Sequence, residues 1–350
     1  MTRNLLVLVC LIPASTGFAQ EKSPFAGPTA EGYLLPNGWH LTPVGKHFAT
    51  TDLPLNIVPL KDGKRALVAT SGYNQHNLYL VDISVEAPKA LATGESRQSW
   101  FGLAANQAEE KIWWSGGGAG RLHTFDLKDN TLAKTSQPEP TSGRADAKPA
   151  KEVVPAPSAN TFLSGVALDE AKSRLYSLNI NLGELNVIDL KDGSTKTLAV
   201  GGRPYDIVVG KTQLFISDWS GSLVLIVDPI DLRVVGKIPV GNHPNQMTLH
   251  SDGRLFVACA NSNAVSVIDT RRGIVVETIF TALFPKSPEG STPDAVALTP
   301  DGKTLFVANA DNNCIAVVDV ETPRQSGVRG FIPTGWYPRR WPSRRTVRIS

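Results

Sequence analysis

Pro244-Asn245-Gln246-Met247-Thr248-Leu249-His250-Ser251-Asp252-Gly253-Arg254-Leu255-Phe256-Val257-Ala258 decides the fold, because the chain repeats this stretch further on. The second copy is Pro293-Asp294-Ala295-Val296-Ala297-Leu298-Thr299-Pro300-Asp301-Gly302-Lys303-Thr304-Leu305-Phe306-Val307-Ala308-Asn309. The first copy continues through Asn261-Ser262-Asn263 to Val265-Ser266-Val267-Ile268-Asp269, and the second through Asn312-Asn313 to Ile315-Ala316-Val317-Val318-Asp319. The same physics runs through both. Pro stands ahead of a first strand, where a missing N–H costs nothing. Asp-Gly between two apolar runs is a hairpin signal. The second strand is apolar throughout, as a strand covered on both faces is. A more polar fourth strand closes on Val240-Gly241 or Thr334-Gly335.

Working outward, the closing Asp recurs as Asp82, Asp126, Asp189, Asp228, Asp269 and Asp319, with gaps of 44, 63, 39, 41 and 50 residues. A period near 40 with one long exception is the spacing of four-stranded propeller blades. The interval from Pro to turn Asp is the same in Pro54 to Asp62, Pro244 to Asp252 and Pro293 to Asp301. The second unit departs most: Glu109-Glu110 replaces Asp-Gly, and Trp113-Trp114 takes the second strand. The long gap holds residues 136–160, with Pro138, Pro140, Pro149, Pro155 and Pro157 among Ser, Lys, Ala and Glu. That composition predicts a mobile surface insertion.

These repeats resemble the YVTN-type β-propellers, a family that includes surface-layer and lactonase-like proteins. The match is strong over 203–338 and weaker, but in register, over 53–200. The resemblance implies a family architecture of seven blades around a channel. Six units are countable here, and Gly45-Lys46-His47-Phe48-Ala49-Thr50 looks like a fourth strand without its own first three. The expected fold is therefore an all-β propeller with six four-stranded blades and one closing strand. Leu35-Pro36-Asn37-Gly38-Trp39-His40-Leu41-Thr42-Pro43-Val44-Gly45 is similar to the start of the propeller half of longer bacterial proteins that continue into a phosphoesterase domain. The resemblance implies a C-terminal phosphoesterase domain in full-length relatives, and its Asp/His metal ligands are not read within residues 1–350.

Residues 1–19 read as a signal peptide: Arg3, the apolar run 5–12, then small residues Gly17 and Ala19 before the cleavage point. A periplasmic or secreted protein is expected. The run is too short to span a bilayer, and no transmembrane segment is expected elsewhere. The propeller is expected over 20–338. Residues 339–350 form a basic tail without strand periodicity. Back-translated and read two bases on, the tail can restore the repeat, so it is expected to be a frameshift product that leaves blade six uncovered on one face and blade one facing a gap. The net charge of +3 is carried by Arg3 and five tail arginines; without these six, 29 basic residues face 32 acidic ones. Such a body is not a nucleic-acid binder by charge.

No catalytic constellation stands out. The six histidines are scattered, and there is no Cys-x-x-Cys. Cys259 and Cys314 are too few for a disulfide framework and read as inert buried thiols. Gly116-Gly117-Gly118-Ala119-Gly120 reads as a hairpin turn, and Asp311-Asn312-Asn313 as a bland turn rather than a calcium loop. The loops that lead into the first strands face the channel mouth in propellers. They carry Arg203, Tyr205, Asp206, His243, Asn245, Asp294 and Trp336, the candidate ligand site, with Asp218-Trp219 a weaker second candidate. The function expected is a binding or scaffold module for a small molecule or protein, without a cofactor. Its rivals are a lactonase-like hydrolase holding a divalent metal in the channel and an electron-transfer propeller.

Overall fold

The computed structural model describes residues 26–29, 32–35, 38–96, 98–135 and 160–335. The expected signal peptide, the core of the 136–160 insertion, Trp336 and the basic tail lie outside the described residues. A small three-stranded sheet (Gly27–Thr29, Gly32–Leu34 and His40–Leu41) precedes the blades.

Six four-stranded antiparallel sheets follow, each in simple meander order. Blade 1 comprises Leu53–Pro59, Arg65–Ser71, His76–Asp82 and Lys89–Ser96. Blade 2 comprises Leu103–Ala105, Lys111–Ser115, Leu122–Lys128 and Thr131–Lys134. Blade 3 runs Leu163–Asp169, Arg174–Asn179, Glu184–Asp189 and Thr195–Ala199. Blade 4 runs Pro204–Val209, Leu214–Asp218, Leu223–Asp228 and Arg233–Pro239. Blade 5 is Pro244–Leu249, Arg254–Cys259, Ala264–Asp269 and Ile274–Phe280. Blade 6 is Pro293–Leu298, Thr304–Asn309, Cys314–Asp319 and Gly327–Pro333. First strands of successive blades lie side by side from blade 1 to blade 6. The all-β propeller of the sequence reading is thus the observed fold.

The repeated residues have local tasks. In the hairpins the Asp side chain caps the turn: Asp62 accepts from Lys64 N, Asp252 from Arg254 N and Asp301 from Lys303 N. The following Gly takes positive φ, +67° to +97°, which glycine adopts without steric cost. In blade 2 Glu109 occupies that conformation instead, at φ +60°. The blade-closing Asp is also a turn acceptor: Asp82, Asp189, Asp228, Asp269 and Asp319 each take an N–H two residues on. Three of these half-buried carboxyls are held below the ordinary value: Asp228 chiefly by such a bond, Asp82 chiefly by the Ser84 hydroxyl and Asp319 chiefly by the Arg329 guanidinium.

Apolar faces of neighbouring blades share cores. Trp114, Phe125 and Leu67 belong to the core between blades 1 and 2, Tyr176 and Ile216 to that between 3 and 4, and Phe256 and Val307 to that between 5 and 6. Polar staples join blades near the channel mouth. Ser71 donates to Ser99 O, Ser115 to Leu163 O, Ser164 to Pro204 O and Ser217 to Asn245 O, at 2.7–3.0 Å.

Two expectations are corrected. Residues 46–50 form no strand. The further blade whose fourth strand it was expected to supply is not found among the described residues, so this segment has no ladder to complete there. It lies instead against blade 1: Phe48 packs edge-on against Tyr79 at 5.4 Å, and Lys46 Nζ reaches Val85 O at 3.1 Å. One bond ties it to blade 6, Val44 N donating to Pro333 O at 3.2 Å. The end faces of the array, expected to be open, are buried. Val68 and Tyr79 on blade 1 are each 7% exposed, Phe306 on blade 6 is 5% exposed and Ile315 fully buried. Cys259 and Cys314 are free and buried, and burial raises both thiols, Cys314 to about 11.

Candidate functional site

A cleft of about 490 Å³ opens at the channel mouth. Of the seven candidates read from the sequence, Arg203, Tyr205, His243, Asn245 and Asp294 line it. Asp206 does not: its carboxylate accepts from Met247 N at 2.9 Å and ties blade 4 to blade 5. The weaker pair divides. Trp219 lines the cleft, while Asp218 is buried beneath it, accepting from Arg203 N at 2.8 Å and from Gly221 N at 3.1 Å.

A recurrent irregularity places these side chains. In each of these blades the first strand slips register against the second just after its Pro: between Pro204 and Ile207, Pro244 and Met247, and Pro293 and Ala295. Tyr205, Asn245 and Asp294 sit in these slips. A bulge re-aims a side chain that regular pairing would commit to a blade face. Asn245 and Asp294, 5% and 7% exposed, then meet across the blade 5–6 boundary, with Asn245 Nδ2 donating to Asp294 Oδ1. Because a carboxylate only accepts, this bond fixes the amide's orientation. Asn245 Oδ1 faces the other way, buried and without a hydrogen-bond partner.

Aromatic rings form much of the wall. Trp219 and His243 stack at 4.0 Å with planes 10° apart, and the Arg203 guanidinium lies 5.9 Å from the Trp219 ring centre. His243 holds positive φ, +50°, with its carbonyl taken by Ala260 N at 3.0 Å. Tyr205 stacks on Phe101 at 4.6 Å, and Trp100 meets Phe162 edge-on at 5.4 Å.

The sequence reading missed Trp100, Thr292 and Asp311, which also line the cleft. Asp311, read there as part of a bland turn, accepts a hydrogen bond from the Thr292 hydroxyl on Oδ2. The findable signal was its position, directly after a second strand on the same edge as Trp219. For a metal the fit is poor. The two cleft carboxylates are each engaged by a neighbour, and among the described residues no three His, Cys, Asp or Glu side chains converge.

Fold and cleft together define a β-propeller with a pre-shaped channel mouth. No family profile matches the chain. It is 29% identical over 153 residues to YncE of Salmonella typhi, a stretch covering 41% of each chain. It is 25% identical over 137 residues to Antigen Lp49 of Leptospira interrogans, covering 36% of this chain and 30% of that one. The chain thus spans about two fifths or less of the curated relatives it matches. Among solved structures it resembles a Lactobacillus plantarum protein (TM-score 0.66, 14% identity, 83% of this chain and 88% of that one). It equally resembles the periplasmic gluconolactonase PpgL of Pseudomonas aeruginosa (TM-score 0.64, 13% identity, the same coverage). These likenesses bear out the propeller and its YVTN-type pattern at the level of fold. Among the described residues no helix is long and apolar enough to cross a membrane.

Proposed function

We propose that the protein is an exported propeller that binds a small ligand at its channel mouth, without chemistry of its own. The carrying observation is the cleft built by three register slips, where aromatic walls meet the buried Asn245–Asp294 pair. Pockets that combine apolar walls with a few convergent polar groups are the usual form of small-molecule sites. A calorimetric screen of small molecules against the mature protein and Trp219→Ala tests it: at least one ligand should bind, and the variant should bind it at least tenfold more weakly. A screen in which every ligand binds both proteins alike removes the site. Sequencing the secreted protein's N-terminus tests export, which Met1 retained on that protein would refute.

A second reading, lactone hydrolysis, draws on the gluconolactonase-like fold and on Asp294 and Asp311 in the cleft. Turnover of a lactone with stoichiometric bound metal, abolished by Asp294→Asn, would establish it in place of simple binding.

A further inference from the structure

A second cavity, of about 670 Å³, lies between blades 4 and 5 at the hairpin end of their first strands. A strand of six residues puts that end about 20 Å from the channel mouth. A shortened hairpin opens the cavity. In blade 4 the last pair before the turn is Val209 with Leu214, whereas the matching pairs are Pro59 with Ala66, Ala105 with Ile112 and Leu298 with Leu305. Blade 4 thus lacks two residues of turn, and the space they would fill stays open beside the blade 5 hairpin. Phe215 and Leu249 form its apolar wall.

The turns around this space break the charge pattern of the repeat. The first hairpins of the other blades each carry an acid: Asp62, Glu109, Asp169, Asp252 and Asp301. The blade 4 hairpin, 210–213, carries none and has Lys211 instead. Between third and fourth strands the other blades carry Glu86, Asp129, Asp192, Asp231 and Glu321; blade 5 has Arg271-Arg272. Both departures meet here, since Lys211 and Arg271 line the same cavity, and no Asp or Glu is among the described residues that line it. Neither cation is in an ion pair among the described residues. Arg271 Nη2 reaches only a carbonyl, Asp252 O, at 3.3 Å. The Asp252 carboxylate is taken up by Arg254 Nε and His250 Nδ1, both at 2.8 Å, and that of Asp269 caps its own turn through the Arg271 and Arg272 N–H groups.

Two cations that share a cavity repel each other, and an anion set between them turns that repulsion into attraction. The space has the size and the apolar wall of a small-molecule site. A membrane or polyanion would instead need a broad basic face, and the remaining turns at this end are acidic. We propose that the cavity binds a small organic anion, its carboxylate or phosphate held by Lys211 and Arg271 and its apolar part against Phe215 and Leu249.

Titration calorimetry of the purified mature protein tests this with 4-phenylbutyrate, its neutral isostere 4-phenylbutanamide, phenyl phosphate, and vesicles rich in anionic lipid. The better of the two anions should bind about tenfold or more tightly than the amide, as charge-assisted pairing requires, and the ranking of the two names the head group. Lys211→Gln and Arg271→Gln, both at exposed positions, should each weaken it about threefold, the scale of a solvent-screened charge pair. The double variant should weaken it about tenfold, and Lys128→Gln, in the matching turn of blade 2, should change nothing. Equal binding of the amide overturns the assignment, as does anion binding that ignores both substitutions. Vesicle binding that depends on the two cations while neither small anion gives heat also overturns it, in favour of a membrane surface.

Discussion

At the scale of single residues, the repeat consensus is mostly turn chemistry, and one position goes further. Arg254 follows the Asp252-Gly253 turn and is 7% exposed. Its Nε donates to Asp252 Oδ2 at 2.8 Å, and its Nη1 reaches Val320 O, at the end of blade 6, at the same distance. The side chain also lies over Phe256 at 5.4 Å, so it packs as well as pairs. Burial pushes the Asp252 carboxyl up, but hydrogen bonds from Arg254 and His250 outweigh it and hold the group below its ordinary value. A depressed carboxyl stabilises the fold above its unfolded pKa, and that contribution is lost as pH falls through the folded one. Because Asp252 is 38% exposed its pairing is screened by solvent, and Arg254→Ala should cost about 1–3 kcal/mol at neutral pH, most of it from the lost packing and the unpaired Val320 carbonyl. The gap between parent and variant should narrow between about pH 5 and pH 3, read from melting temperatures across that range. A gap that stays constant would mean the arginine acts through packing alone.

At the scale of elements, strands and hairpins were legible because periodicity and Asp-Gly turns are local signals. The register slips after Pro204, Pro244 and Pro293 were not. A slip depends on which residue of the second strand the first one meets, and nothing in the first strand states that. The serine staples were equally hidden, since a serine in an apolar strand reads as a tolerated polar residue. Ser217 shows what such a residue does. It is fully buried, donates to Asn245 O at 2.8 Å and accepts from Asp206 N at 3.0 Å. It thus ties the slip of blade 4 to that of blade 5, beneath the cleft. Ser217→Ala removes the donor to the buried Asn245 carbonyl and the acceptor of the part-buried Asp206 N–H. It should cost about 1–3 kcal/mol in chemical denaturation. It should also weaken any cleft ligand more than Ser71→Ala, whose staple lies between blades 1 and 2. Equal effects of the two on binding would show that the staples hold blades together without shaping the mouth.

At the scale of the whole molecule, five shared cores join six blades, and the two end faces have clusters of their own. In such an array each blade leans on its neighbours, so the ends are the least protected parts. The segment around Phe48 covers one end. Phe48→Ala should cost about 1–3 kcal/mol, less than for a fully buried ring because this one is half-buried. Hydrogen-exchange protection should drop in Leu78–Val81 while Leu214–Ser217 of blade 4 keeps its own. A uniform drop would mean that the ring opens as one unit and has no weak end. The sequence by itself determined the blade, its period, its turns and the edge of the ring on which a site could lie, because each depends on residues within about 40 positions of one another. Tertiary structure decided which of those edge residues meet. Asn245 and Asp294 are 49 positions apart and touch only because successive blades set their slips side by side. Trp219 becomes a wall because His243 of the next blade stacks on it. The same rule holds for the segment at 46–50, which looks like a strand but forms none. Its outcome turned on its partners in space: Phe48 packs against Tyr79 of blade 1, and no sheet among the described residues takes the segment as a strand.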